Sequence, residues 1–277
     1  MKWIGGVTLA LVAILGTGWI FRAELVLFAV AQMKSAVTEV GPTIEIDWAT
    51  GVDSQGRAPA DRPPNIVLIV ADDMGWNDIS MNGTNPTAQT PNIDALAAKG
   101  VRFSNFHVAG SCSPTRAMLQ TGVINHRAGL GNMPETIPPE HLGKPGYESH
   151  LNNRVVTIAE QLRAGGYRTY LTGKWHLGHT PDTLPTARGY DHALALAQSG
   201  ADNFEDKPNL LIYDKTEWSD DGKPAKLPKR FYSSTLIIDK MIGYIDRGRA
   251  SGKPFLASVN FIANHLPVQA RDADIAA

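Results

Sequence analysis

The stretch GSCSPTRAMLQTG, Gly110 to Gly122, holds the one cysteine of a 277-residue chain. Pro114, followed by Ala117, Met118 and Leu119, reads as the first turns of a helix that opens at Cys112. Free N–H groups at a helix start favour negative charge, and Arg116, four residues on, falls on the same face with a fixed cationic fork. Cys112 and Arg116 together therefore suit a small anion. Other reactive side chains gather at the ends of apolar runs: Asp72 and Asp73 close NIVLIVADD, Lys174 and His176 lie in YRTYLTGKWHLGH, and His265 follows KPFLASVNFIANHLP. Two adjacent carboxylates just past a strand suit a hard cation, although a solvated strand-to-loop turn would look the same.

These residues need a scaffold, and the hydrophobic pattern supplies one. NIVLIV is a short β-branched run bounded by prolines and acids, which predicts a central strand buried on both faces. TPNIDALAAKG has Thr90 as N-cap, Pro91 in the first turn and Gly100 as the stop. VRFSNFHV reads as the next strand. A capping box, Thr157 with Glu160, starts a helix with Ile158 and Leu162 on its apolar face. A strand is expected from Arg168 to Leu171, and a last one from Phe255 to Phe261. SSTLIIDKMIGYIDRG places Ile237, Ile238, Met241, Ile242 and Ile245 at helical spacing and closes at Gly248. Residues 180–230 are rich in Pro, Asp and Gly with little period, as in a long functional loop or small irregular elements. Strands alternating with helices, and polar residues at strand ends, imply an α/β domain with a pocket for a small anion.

Composition narrows the function. The chain is 43% hydrophobic and 19% charged with a net charge of -1, so it can bury a core and has no excess of positive charge to attract nucleic acid. At the amino terminus Lys2 precedes a run without charge from Trp3 to Phe21. That length fits a membrane span or a signal peptide with a long apolar region. Residues 1–31 are read as signal peptide or anchor, with the uncleaved anchor preferred because AVAQ, Ala29 to Gln32, lies far from the charged start. Residues 32–64 are read as an extended linker and 65–277 as the catalytic domain. Export to the periplasm or the cell exterior makes an unpaired cysteine unusual, since disulfides there come in pairs.

CSPTRAMLQTG resembles the CxPxR signature of type I sulfatases, in the alkaline phosphatase superfamily, and GKWHLG, Gly173 to Gly178, is similar to the second sulfatase signature. NIVLIVADDMGWND, HRAGLGNM and NHLPVQA resemble further elements of bacterial arylsulfatases, the last their HxP element. The resemblance implies an alkaline phosphatase-like, mostly parallel sheet flanked by helices. It also implies that a maturation enzyme oxidises Cys112 to formylglycine, whose hydrate carries two hydroxyls. One attacks the sulfur of a sulfate monoester; loss of the other's proton later expels sulfate. Asp72, Asp73 and an oxygen at position 112 would hold Ca²⁺, or Mg²⁺. Arg116 would hold the formylglycine, Lys174 a sulfate oxygen, His176 the second hydroxyl and its proton, and His265 the leaving-group oxygen.

In that family a further Asp and Asn pair and a second lysine complete the site in later sequence. The chain is therefore expected to be a fragment of a longer sulfatase, with an incomplete sheet and weak metal binding, or a truncated inactive relative. A phosphate or phosphonate monoester hydrolase of the same superfamily is the enzymatic alternative; a tethered pseudoenzyme is the non-catalytic one. Residues 189–232, including GADNF, are expected to shape the leaving-group pocket. Trp76, Tyr213 and Trp218 are candidates for stacking on an aryl group or sugar, or for packing in the core or rim.

Overall fold

The computed structural model describes residues 15–22, 25, 26, 29, 62–210 and 212–275. Most of the proposed anchor and nearly all of the proposed linker lie outside these residues. Residues 15–20 are helical, and among the described residues no helix is long and apolar enough to cross a membrane.

Six strands form one sheet in the order β1-β6-β2-β3-β4-β5. They are β1 (Ile66–Val70), β2 (Arg168–Lys174), β3 (His192–Leu196), β4 (Trp218–Asp220), β5 (Lys223–Pro224) and β6 (Phe255–Asn260). The first four in the order run parallel, β4 pairs antiparallel with β3, and β5 pairs antiparallel with β4. The helices are α1 (Pro91–Ala97), α2 (Cys112–Thr121), α3 (Ile158–Ala164), α4 (Ser233–Gly248) and the short α5 (Asp272–Ile275).

Alternation along the strands separates two cores. Leu171, Ala193, Ala195 and Leu256 pack with Ala117 of α2 and Ala159 of α3. Tyr170, Leu194, Leu196, Ala257 and Val259 face the other way, onto Ile237, Met241 and Tyr244 of α4. Helices on both faces explain why β2, β3 and β6 are almost wholly buried. The capping box forms as expected: Thr157 Oγ1 accepts from the Glu160 N–H, and Glu160 Oε2 from the Thr157 N–H.

Two expectations are corrected. Among the described residues β1 stands at the sheet edge, paired with β6 alone, and Val67 and Ile69 are each 57% exposed; an apolar β-branched run marks a strand but not its rank in the sheet. VRFSNFHV forms no strand, and Val101, Phe103, Phe106 and Val108 are exposed, because no described strand offers it a ladder. Thr90 is the N-cap of α1 and Pro91 its first residue, as expected, with the Thr90 hydroxyl engaged by Ser80 and Asp94 rather than by a helix N–H. Within residues 180–230 the chain builds β3, β4 and β5 as small elements rather than one long loop.

Candidate active site

The site is assembled where the parallel strands end. Register aligns Val70, Asn260 and Gly173 across β1, β6 and β2, and the ladder continues past the strands through Phe261 N–H to Val70 O, Asp72 N–H to Ala263 O and Asn264 N–H to Asp72 O. These bonds bring the ADD and NHLP segments side by side. Just past β2, Trp175 and Leu177 enter the core, the indole N–H donating to Thr183 O at 3.0 Å. Lys174 and His176, alternating with them, are left to the site. Gly173 is required at the crossing: its φ is +95°, and a Cβ there would fall 1.8 Å from Asn260 O.

Asp72 is the hub. Lys174 Nζ donates to its Oδ2, Arg116 Nη2 lies 3.5 Å from the same oxygen, and Cys112 Sγ lies 3.5 Å from Oδ1. Burial pushes the Asp72 carboxyl up, but the cations Arg116 and Lys174 outweigh it and hold the group below its ordinary value. Arg116 is buried within α2, where its Nη1 donates to Lys174 O at 2.8 Å and lies 3.5 Å from Asn260 Oδ1. Its Nη2 makes no hydrogen bond among the described residues. A buried guanidinium N–H without an acceptor fits a site meant for an anion.

Cys112 is the first residue of α2 and is partly buried. Desolvation and the nearby negative charges of Asp72 and Asp73 outweigh Lys174 and raise the thiol above its usual range. A thiolate nucleophile, which helix-start cysteines often supply, is therefore disfavoured here. Ligand atoms of Asp72, Cys112 and His265 lie within 4.8 Å of one another. Asp73 is more exposed and approaches His265, Oδ2 to Nε2 at 3.9 Å. The two carboxylates suit a hard divalent cation, so the oxygen donors present fit such an ion but do not fill its shell.

His176 is 2% exposed. Its Nε2 meets both carboxylate oxygens of Glu135, at 3.0 and 3.1 Å. Tyr213 also donates its hydroxyl to Glu135. Asp73 and His176 both adopt positive φ, 57° and 53°, a conformation uncommon outside glycine and concentrated at functional sites. GADNF packs on NHLPVQA: the Asn203 N–H donates to Gln269 Oε1, and Gln269 Nε2 to Asp202. Of the three aromatic candidates, Trp218 is buried in the core, Tyr213 serves Glu135, and Trp76 is 49% exposed with the Arg102 guanidinium 5.9 Å from its ring.

Asp72, Cys112, Arg116, Lys174 and His265 thus meet around one point. His176 stands with Glu135, and Asp73 at the rim with His265. Glu135 was not singled out in the sequence: it lies in a Pro-led 3-10 turn, Pro134–Thr136, where a carboxylate looks like any solvated acid. A cleft of about 800 Å³ between β1 and α2 has Asp72, Asp73, Cys112 and Arg116 at its polar end, with Leu68, Phe106 and Met118 among its apolar walls.

Residues 64–276 match the Sulfatase family. An uncharacterized sulfatase of Schizosaccharomyces pombe is 42% identical over 218 residues, covering 75% of this chain and 39% of its own length. An arylsulfatase of Klebsiella aerogenes is 39% identical over 211 residues, covering 76% of this chain and 44% of its own. Among solved structures, Ps i-CgsB in complex with k-i-k-neocarrahexaose is 31% identical with a TM-score of 0.65, covering 77% of this chain and 48% of that one. The chain spans less than half the length of these relatives. With the family match running through every segment that builds the site, the chain belongs to the sulfatase family.

Proposed function

We propose that this chain carries the nucleophile-bearing half of a sulfuric ester hydrolase of arylsulfatase type. The observation that carries the reading is the convergence of Cys112, Arg116 and Lys174 on Asp72 at the strand ends. That arrangement joins a modifiable nucleophile position to two buried cations, one with an unused N–H. Formylglycine made from Cys112 by a maturation enzyme would supply a hydrated aldehyde as nucleophile. A cation held by Asp72 and Asp73, Ca²⁺ or Mg²⁺, would supply Lewis acidity and charge neutralisation when bound.

The chain's own residues account for the rest. Arg116 Nη2 and Lys174 Nζ present positive charge to a tetrahedral oxyanion in a water-poor setting, where each contact is stronger than in bulk water. Burial holds His176 below its usual value, and the charges of Lys174 and Arg116 act in the same sense against the raising effect of Glu135. His176 is then neutral at pH 7 and can take a proton. His265, beside Asp73, would serve the leaving-group oxygen, and GADNF, braced on Gln269, would border that side. The apolar amino-terminal run supports an exported protein, tethered or released by cleavage.

The test is turnover. Full-length protein matured with a formylglycine-generating enzyme should hydrolyse an aryl sulfate far faster than the matching aryl phosphate, and Cys112→Ala should remove the sulfatase activity. Faster phosphate turnover would move the protein to the phosphomonoester branch. No turnover of either ester by matured full-length protein would favour the pseudoenzyme.

A further inference from the structure

We propose that Glu135, braced by Tyr213, is the positioning residue of His176: it fixes the ring as its Nε2–H tautomer and leaves Nδ1 as the basic nitrogen. The inference deepens the reading of His176 as the proton acceptor and rests on it. Both carboxylate oxygens of Glu135 lie within hydrogen-bond distance of His176 Nε2, so an ionised Glu135, which can only accept, requires a proton on that nitrogen. Burial pushes the Glu135 carboxyl up, but its hydrogen bonds from His176 and the Tyr213 hydroxyl hold it below the ordinary carboxylate range. It is a carboxylate at any pH at which the site would work.

The second ring nitrogen tells the same story. His176 Nδ1 is buried and has no hydrogen-bond partner among the described residues. In the neutral Nε2–H ring this atom carries the lone pair. A buried acceptor left open beside a fixed donor is what a general base needs, since the other nitrogen's hydrogen bond decides which one reacts. The groups that set its basicity are Glu135, which raises it, and Lys174 and Arg116, which lower it together with burial. Tyr213, itself pushed upward by burial and by the Glu135 charge, stays protonated and shares Glu135 with the imidazole. It limits how strongly the carboxylate can pull on the ring.

The pair joins distant parts of the chain. Glu135 comes from the turn after α2, His176 from the loop after β2, and Tyr213 from the connection between β3 and β4. Once these segments pack, the tautomer is set by the fold and does not depend on substrate.

Nitrogen-15 histidine-labelled protein, read by long-range proton–nitrogen spectra and assigned by loss of signals in His176→Gln, tests this directly. Wild type should show His176 as the Nε2–H tautomer at neutral pH. Glu135→Gln should lose that preference and lower the His176 pKa by about one unit or more. In matured full-length protein the same variant should lower kcat by about 10- to 100-fold with little change in KM and move the basicity seen in the pH–rate profile; Glu135→Asp should recover part of the loss. An Nδ1–H tautomer in wild type overturns the proposal, even if Glu135→Gln does not fold. An unchanged tautomer and pKa in a folded Glu135→Gln also overturns it. If wild type turns over no sulfate ester yet shows the Nε2–H tautomer lost in Glu135→Gln, the positioning claim stands and the proposed function fails.

Discussion

Arg116→Met tests the charge arrangement at the centre of the site without touching Cys112. The guanidinium donates at 2.8 Å to Lys174 O and sits 3.5 Å from Asp72 Oδ2, all within the protein interior. Removing it leaves the Lys174 carbonyl without that partner, at a cost of about 1–3 kcal/mol. Breaking a buried ion pair by deleting one member costs about 3–5 kcal/mol when the remaining charge is left alone. Asp72 keeps Lys174, and the variant is relieved of a buried guanidinium, so only part of that cost applies. The net loss is about 2–4 kcal/mol, which for a domain of this size lowers the apparent Tm by roughly 5–15 °C.

The loss must also depend on pH with a definite sign. The Asp72 carboxyl is held below its ordinary value of 3.8, with Arg116 the largest lowering influence against burial. A depressed carboxyl contributes stability that is present above the unfolded value and is lost as pH falls through the folded one. The gap between wild type and Arg116→Met is therefore widest at neutral pH and narrows below about pH 4. Thermal unfolding followed by circular dichroism from neutral to acid pH reads both quantities. A neutral-pH drop below roughly 2 °C, or a drop of the same size at every pH, would refute the ion-pair account of Arg116.

Peptide mass analysis after co-expression with a maturation enzyme should show Cys112 as an aldehyde or its hydrate; intact thiol in an active preparation would sink the formylglycine assignment. Calorimetric titration of full-length protein with Ca²⁺ should show binding weakened by at least about tenfold in Asp72→Asn or Asp73→Asn, and equal affinity in both variants would move the cation elsewhere. Gly173→Ala should yield little soluble protein, because both its positive φ and the 1.8 Å approach to Asn260 O forbid a Cβ; a wild-type melting curve would contradict the crossing geometry.

The parts that were legible in the sequence are those in which one segment carries both its structure and its chemistry. The helix at Cys112, the capping box at Thr157 and the strand ends bearing Asp72 and Lys174 each declare themselves locally. Sheet order does not. β1 and β6 are neighbours although β3 and α4 intervene in the chain, and nothing in IVLIV says whether one or two strands flank it. β3, with the sequence HALAL, hid because alanine and leucine favour helix as readily as strand; burial between β2 and β4 decides its conformation. Glu135 and Tyr213 were missed as partners of His176 because their roles arise from packing of three remote segments, for which no short spacing exists. VRFSNFHV shows the converse, since a strand-like pattern forms no strand without a partner edge.

The side of β1 left unpaired among the described residues has a consequence for handling this 277-residue chain by itself. Ile66–Val70 is a five-residue run without charge or proline, paired on one side only among the described residues, with Val67 and Ile69 exposed. Such an edge can template strand addition between molecules. Its flanks are Pro63 and Pro64 on one side and Asp72 and Asp73 on the other, the placement expected of gatekeeper residues. Asp72 is buried against Lys174 and Arg116, so it is the exposed Asp73 that keeps charge at the end of this strand, and replacing both by Asn removes that barrier together with the metal ligands. Light scattering of the double Asn variant should rise with concentration in metal-free buffer, where loss of ligation alone would leave it flat.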